Sequence, residues 1–343
     1  MTPIDPASIR RILLIKLRAV GDVILSTIVL KNLRTAFPDA QIDFLTERPS
    51  RDIVRGNPLL NETLVFDRGE TGSLGLVVQV RRRAYDLVID LFGNPRSALI
   101  TRLSGARYRV GFRFRGRTYA YNIIVEPRGG IVHNTQFNLD ALEAIGVPIV
   151  DRELHVQYSN DDEQFVDAFL AGNIVAGKIA VGFATGGGWY TKRWALDRFA
   201  ALADRISEVY GAEIILSWGP GQKDEVMAVQ RAMKHRAFVP PPTALPQLAV
   251  LLKRCTFVVC NDSGPMHLAA AVGTPVVGIY GPTNPVLQGP YGNRHVTVRR
   301  EGLECLGCNL TACPIGHPCM NELTVDMVFR AVQSLAKNIG IKP

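Results

Sequence analysis

Short, uninterrupted apolar runs recur along the chain, each followed by a polar or glycine-containing loop and then by a segment of helical period. Arg11 to Leu17 (RILLIKL) reads as a buried strand, because a strand covered on both faces loses the alternation of a half-exposed one. It leads through Arg18-Ala19-Val20-Gly21-Asp22 into an apolar-periodic helix that ends near Phe37-Pro38. Further strands are expected at 41–46, 63–66, 86–90, 107–111 and 121–125, with helical segments between most of them. From about Asp151 to Gly177 the sequence turns polar and acidic, which places a domain boundary near Gly172. The pattern then restarts with strands at 178–183, 213–218, 256–260, 275–280 and 295–298, helices at 196–210 and 245–254, and a terminal helix over 324–336. Such alternation predicts an α/β fold with parallel sheets. The expected domains are 1–172 and 173–343, with the terminal helix a candidate to pack back on the first.

In folds of this kind ligands bind beyond the carboxyl ends of the strands. The stretch Thr256 to Pro285 has that form: TFVVC stops at Asn261-Asp262-Ser263-Gly264, and Pro265 then opens a small-residue helix, where its missing N–H costs nothing. Ser263 and Gly264 are placed to hold an anion at the helix N-terminus, with His267 about one turn further on. Asp262 would repel a phosphate unless it pairs with a cation or accepts from sugar hydroxyls. A helix cap for Asp262 or Ser263, and a core role for His267, are the structural alternatives. Thr185-Gly186-Gly187-Gly188 after the 178–183 strand lets backbone approach a ligand, or is a flexible loop. Lys192 and Arg193 stand at a helix start, where the dipole disfavours cations unless an anion is bound. Asp22, at the first strand-to-helix turn, reads locally as a helix cap or as a carboxylate kept for function. That turn lacks G-x-G-x-x-G spacing, so a tightly held nicotinamide or flavin is not indicated.

With 343 residues, 47% of them hydrophobic, the chain can build two cores. Its formal charge of +8 points to an anionic partner, and the excess is concentrated: ten arginines lie between Arg81 and Arg117 against two acids. Arg18, Arg113, Arg115 and Arg117 are the candidate anion-binding residues, since arginine suits carboxylate and phosphate. A solvated basic face is the alternative; no RNA-binding signature is present, so nucleic acid is not expected. The first apolar run is cut at Lys16, so it is neither a signal peptide nor a membrane span, and no other stretch is long enough to cross a bilayer. No cysteine precedes Cys255. Cys305, Cys308, Cys313 and Cys319 form a compact cluster that could hold a structural zinc, with His317 as a spare ligand, or remain reduced thiols in a cytoplasmic protein, or form disulfides, which a reducing compartment opposes.

Taken whole, N-D-S-G-P-M-H-L-A-A-A-V-G-T-P-V-V-G-I-Y-G-P-T from Asn261 resembles the donor-nucleotide loop of the bacterial heptosyltransferases, glycosyltransferase family 9. I-K-L-R-A-V-G-D-V-I-L-S-T from Ile15 and the K-R-W step at Lys192 are similar to the same family, and the resemblance runs from Arg11 to about Thr324. It implies a GT-B architecture, two Rossmann-like doubly wound domains facing across a cleft, the first taking the acceptor and the second the nucleotide-sugar donor. Asp22 would be the catalytic base; Lys192, Thr185, Gly186, Gly187, Asp262, Ser263, Gly264 and His267 would surround the donor. The reaction implied is an inverting sugar transfer without a metal or other catalytic cofactor, in keeping with the lack of a D-x-D motif. Donor and acceptor would be ADP-heptose and an anionic lipid-linked saccharide of the lipopolysaccharide core, with peripheral contact at the inner face of the cytoplasmic membrane. One departure stands out: relatives have an acidic residue soon after the W-G step, where this chain has Gly221 and Gln222. A nucleotide-sugar epimerase on the same scaffold, needing no acceptor, and a non-catalytic nucleotide-sugar or polyanion binder are the rival readings.

Overall fold

The alternating pattern folds into two six-stranded sheets, one in each of two units, Met1–Gln157 and Tyr158–Pro343. The computed structural model describes residues 4–67, 72–175 and 177–343. In the first unit the strands are β1 (Arg11–Ile15), β2 (Gln41–Glu47), β3 (Glu62–Phe66), β4 (Leu87–Asp90), β5 (Tyr108–Phe112) and β6 (Ile123–Val125), in the order β3-β2-β1-β4-β5-β6. The second unit contains β7 (Ala180–Ala184), β8 (Glu213–Ser217), β9 (Ala237–Phe238), β10 (Phe257–Asn261), β11 (Val276–Tyr280) and β12 (Val296–Arg299), in the order β12-β11-β10-β7-β8-β9. Every pairing is parallel. Counted within its own unit, each sheet runs through the doubly wound Rossmann order that the GT-B expectation requires, with the first strand of the unit beside its fourth.

That order fixes where ligands can bind. Sheet growth reverses direction between β1 and β4 and again between β7 and β10, and the connecting helices part there, opening a crevice beyond the strand ends. The loops after these four strands therefore border the two crevices.

Local sequence explains the elements that frame them. The helix Leu196–Tyr210 buries Phe199, Leu202, Ala203, Ile206 and Tyr210 at helical spacing and stops at Gly211, whose φ of 60° only glycine adopts readily. Ser159 caps the helix Asn160–Ala171, and Asp162 accepts a hydrogen bond from the Ser159 N–H. This helix packs on Leu245–Arg254, with Arg254 Nε 2.9 Å from Asp167 Oδ1. It thus belongs to the second unit, and the division falls after Gln157 rather than near Gly172. The terminal helix Val325–Asn338 lays Val328, Phe329, Val332 and Leu335 against β11, β12 and the Leu196–Tyr210 helix. Its apolar stripe completes the second core. The edge strand β9 has two residues, too short to leave a pattern in the sequence.

Gly111 in β5 lies beneath the Tyr121 ring: a β-carbon there would stand 2.4 Å from it. Tyr121 in turn donates to the buried Asp90 carboxylate at 2.7 Å. Gly111→Ala is expected to destabilise the protein by about 1–3 kcal/mol through overpacking, read as a lower urea midpoint at unchanged slope. An unchanged midpoint would contradict this packing.

Candidate functional site

In the first unit the crevice is polar and tightly organised. β1 delivers Lys16 just past its end, and the Lys16 Nζ donates to the Leu91 carbonyl at 2.8 Å. Asp90, the last residue of β4, is fully buried; its Oδ1 accepts from the Phe92 and Gly93 N–H groups and its Oδ2 from Tyr121. Burial pushes the Asp90 carboxyl up from its usual range, against these donors. Burial also pushes the Lys16 ammonium down, while attraction to Asp22 and Asp90 opposes that shift. Lys16 thus lies within electrostatic reach of both Asp22 and Asp90. Asp22 sits in the first turn of the helix Val20–Ser26, half-buried, with Oδ2 accepting from the Ala19 N–H at 3.2 Å. Among the described residues its Oδ1 accepts no hydrogen bond, so the carboxylate is anchored by one oxygen and open at the other. The helix-capping and base readings are thus compatible.

The arginine-rich segment is less uniform than its composition suggests. Arg83 pairs with Glu62, Arg96 with Glu47, and Arg109 donates to the carbonyls of Ala106 and Ala120. Arg113, beyond β5, is held by Glu126, with Nε 2.7 Å and 2.8 Å from the two carboxylate oxygens. Arg18 and Arg115 are exposed, and Arg117 lies over the Phe114 ring. Arg18 follows β1 and Arg115 and Arg117 follow β5, all at the same sheet edge, so these three are the cations there without a carboxylate among the described residues.

The second crevice is built from four loops. Asn261, ending β10, donates to the Thr185 carbonyl at 2.7 Å and accepts from the Trp194 N–H at 3.2 Å, fastening the loop after β7 to β10. Lys192 Nζ lies 2.7 Å from Asp262 Oδ2 and 4.5 Å from the centre of the Trp189 ring. Asp262 is thereby paired with a cation, one of the two conditions on which a phosphate can approach it. Thr283, after β11, donates to the same Oδ2 at 2.6 Å. Ser263 does not cap the helix Gly264–Ala271; its hydroxyl turns back to the Asn261 carbonyl at 3.1 Å, leaving the helix N-terminus without a side-chain cap. The Thr185 hydroxyl is buried and has no hydrogen-bond partner among the described residues. His267 is buried one turn into the helix.

Gly186 lies against the end of the Gln222 side chain: a β-carbon there would stand 2.1 Å from the amide nitrogen and displace it. Gln222 thus lies on the glycine loop, with its Oε1 accepting from the Gly219 N–H at 3.0 Å. Gly187 offers its carbonyl to Arg193 Nε at 3.0 Å, and Arg193 pairs with Glu225, so Arg193 braces the loop. Sequence reasoning missed Asn261, Thr283 and Lys16 as parts of these sites. All three lie within the motif strings, yet only the fold shows that they join one loop to another.

The cysteine cluster is not assembled as a metal centre: among the described residues no three His, Cys, Asp or Glu side chains converge where an ion could sit. Cys305, Cys308, Cys313 and Cys319 are free thiols around a small apolar cavity. Cys319 is drawn inward against Gly281, and its thiol is pushed up to about 11, by burial first and then by the neighbouring thiols. Cys308 is exposed, and His317 is used by the Thr191 carbonyl at 2.6 Å.

Among the described residues no helix is long and apolar enough to cross a membrane. The family model of glycosyltransferase family 9 (heptosyltransferase) matches residues 74–317. Lipopolysaccharide heptosyltransferase 1 of Pseudomonas aeruginosa is 28% identical over 330 residues, covering 88% of this chain and 87% of the relative. A family 9 glycosyl transferase from Veillonella parvula superposes with a TM-score of 0.86 at 25% identity, covering 98% of this chain and 99% of the other. The Escherichia coli ADP-heptose LPS heptosyltransferase II gives a TM-score of 0.77 at 22% identity over 96% and 99% of the two chains.

The Lys192 and Asp262 side chains are 13% and 4% exposed, so removing either partner strands a desolvated charge. Lys192→Ala and Asp262→Ala are each expected to cost about 3–5 kcal/mol in urea unfolding, and the double variant much less than their sum. Additive losses would show that the two charges do not depend on each other.

Proposed function

Because the chain belongs to glycosyltransferase family 9, we propose that it transfers a heptosyl group from ADP-heptose to an anionic saccharide of a lipopolysaccharide core, inverting the anomeric carbon without a metal ion. The chain is a glycosyltransferase; donor, acceptor and stereochemistry are the substance of the proposal. The observation that carries it is the buried Lys192–Asp262 pair beside an uncapped helix N-terminus at the second unit's switch point. An ammonium has three N–H donors, and one is used on Asp262. In this reading the others, with the backbone N–H groups of Gly264 and its neighbours, take the negative charge that grows on the leaving diphosphate. Asp262, whose Oδ2 is engaged by Lys192 and Thr283, offers Oδ1 to sugar hydroxyls, and the Thr185 hydroxyl faces the same loops. His267 lies under the helix start, where it supports this turn. Gly221 and Gln222 stand where the family often has an acid, and in this reading the Gln222 amide takes the ribose hydroxyls by neutral hydrogen bonds.

In the first unit Asp22 acts as base. The acceptor hydroxyl gives its proton to the open carboxylate oxygen as its oxygen bonds to the anomeric carbon, and the bond to the diphosphate breaks with its electron pair leaving on ADP. The Ala19 N–H orients that carboxylate, and Lys16 lies within electrostatic reach of it. Arg18, Arg115 and Arg117 receive the acceptor's phosphates and sugar acids, with Arg113 recruited only if it releases the exposed Glu126. The named lipopolysaccharide heptosyltransferases among the relatives support the substrate classes. In this reading the enzyme meets its lipid-linked acceptor peripherally, at the cytoplasmic face of the membrane.

Asp22→Asn should lower turnover of ADP-heptose with acceptor by about 100-fold or more, while donor affinity by calorimetry stays near wild type. Turnover within a few-fold of wild type would remove Asp22 from the role. Conversion of the nucleotide sugar in the absence of acceptor would move the chain to the epimerase reading.

A further inference from the structure

The helices Gly72–Arg82 and Pro95–Leu103 pack side by side on the first sheet. Their inward residues Leu76, Val80 and Ile100 join one core with Leu13, Ile15 and Phe66. Arg81 Nη1 reaches the Leu103 carbonyl at 3.4 Å, tying the two helices together. What they present outward is unusual for a solvated face. Leu74 is 77% exposed, Leu99 46%, Val78 40% and Leu103 38%. On each helix the apolar pair is spaced four residues apart, one above the other. Arg81, Arg82 and Arg102 are exposed among them, and neither helix contains an aspartate or glutamate. The outward face of Lys223–Ala232, by contrast, mixes Lys223, Asp224, Glu225 and Arg231.

We propose that the outward faces of the Gly72–Arg82 and Pro95–Leu103 helices form one docking surface for an anionic phospholipid bilayer. This rests on the reading that the acceptor is carried on lipid. Leucine and valine side chains enter the boundary below the headgroups, and the arginines above them meet lipid phosphates. Charge selects this occupant. A second copy of the chain, brought up by two-fold symmetry, would set the same arginines against one another with no acid on either helix to relieve them. The surface is separate from Arg18, Arg115 and Arg117, which in the proposed function hold the saccharide.

The test is co-sedimentation of the full chain with vesicles of phosphatidylglycerol and phosphatidylcholine, against phosphatidylcholine alone. The wild type should pellet with the anionic vesicles, less as salt rises, and stay in solution with the zwitterionic ones. Leu74→Glu with Leu99→Glu should weaken partitioning at least tenfold, and Arg82→Gln with Arg102→Gln roughly thirtyfold, the scale for two basic residues at such a surface. Both variants should keep wild-type turnover on a deacylated, water-soluble acceptor, which shows that the fold and the chemistry are intact. Should the leucine variant lose that turnover, the arginine variant, whose apolar faces are unchanged, decides alone. Wild-type protein that ignores anionic vesicles, a folded variant that pellets like wild type, or concentration-dependent self-association abolished by these substitutions would overturn the proposal. Vesicle binding as described, but no turnover of any acceptor by wild type, would leave the surface standing and remove the heptosyltransferase reading beneath it.

Discussion

An ammonium and a carboxylate 2.7 Å apart, Lys192 and Asp262, are the interaction around which the second crevice is built, and in the proposed function they set the terms on which it binds an anion. A carboxylate at a helix N-terminus would by itself repel a phosphate, and a buried lysine without a partner would be an uncompensated charge; Lys192 ends the short turn Tyr190–Lys192 ahead of the Leu196–Tyr210 helix rather than standing at that helix's start. Placed together, each removes the other's difficulty. The pair is held by its surroundings: Asn261 fastens the β7 loop to β10, and Thr283 donates to the carboxylate.

The first unit repeats the solution with different residues. At its switch point a lysine again follows a central strand and faces carboxylates, here Asp22 and Asp90. The difference lies in which group is left open. In the second unit the paired charges face a loop and an uncapped helix start, suited to an incoming anion. Asp90 in the first unit is fully engaged by Tyr121 and two backbone N–H groups, while Asp22 keeps one oxygen unengaged, suited to accepting a proton. Two sheets of identical strand order thus carry different charge arrangements on equivalent loops.

Much of this was legible in the residues. Buried parallel strands such as β1, β10 and β11 announce themselves as continuous apolar runs, and the Leu196–Tyr210 helix shows its period plainly. The Asn160–Ala171 helix was legible as a helix but not as a member of the second unit, because its attachment is an Arg254–Asp167 ion pair 87 residues apart in sequence. The same holds at the sites. Asp22, Lys192 and Asp262 stand out by type and place, whereas Lys16 reads as an interruption of a strand until the fold sets it beside Asp90. Composition misled in one respect: the arginine run looks like a single anion site, yet Arg83, Arg96 and Arg109 are spent on internal partners. The four cysteines have the spacing of a ligand set, but packing draws Cys319 inward and leaves Cys308 at the surface.

The central claim is that the Lys192–Asp262 pair is a diphosphate clamp rather than a structural staple. Calorimetric titration of Lys192→Met with ADP and with adenosine separates these roles, because the two ligands differ only in the diphosphate. The account predicts that ADP binding weakens at least tenfold, the scale of removing one charge-assisted hydrogen bond, while adenosine binding stays at the wild-type level. Equal ADP affinity in wild type and variant, or an equal weakening for both ligands, would contradict it.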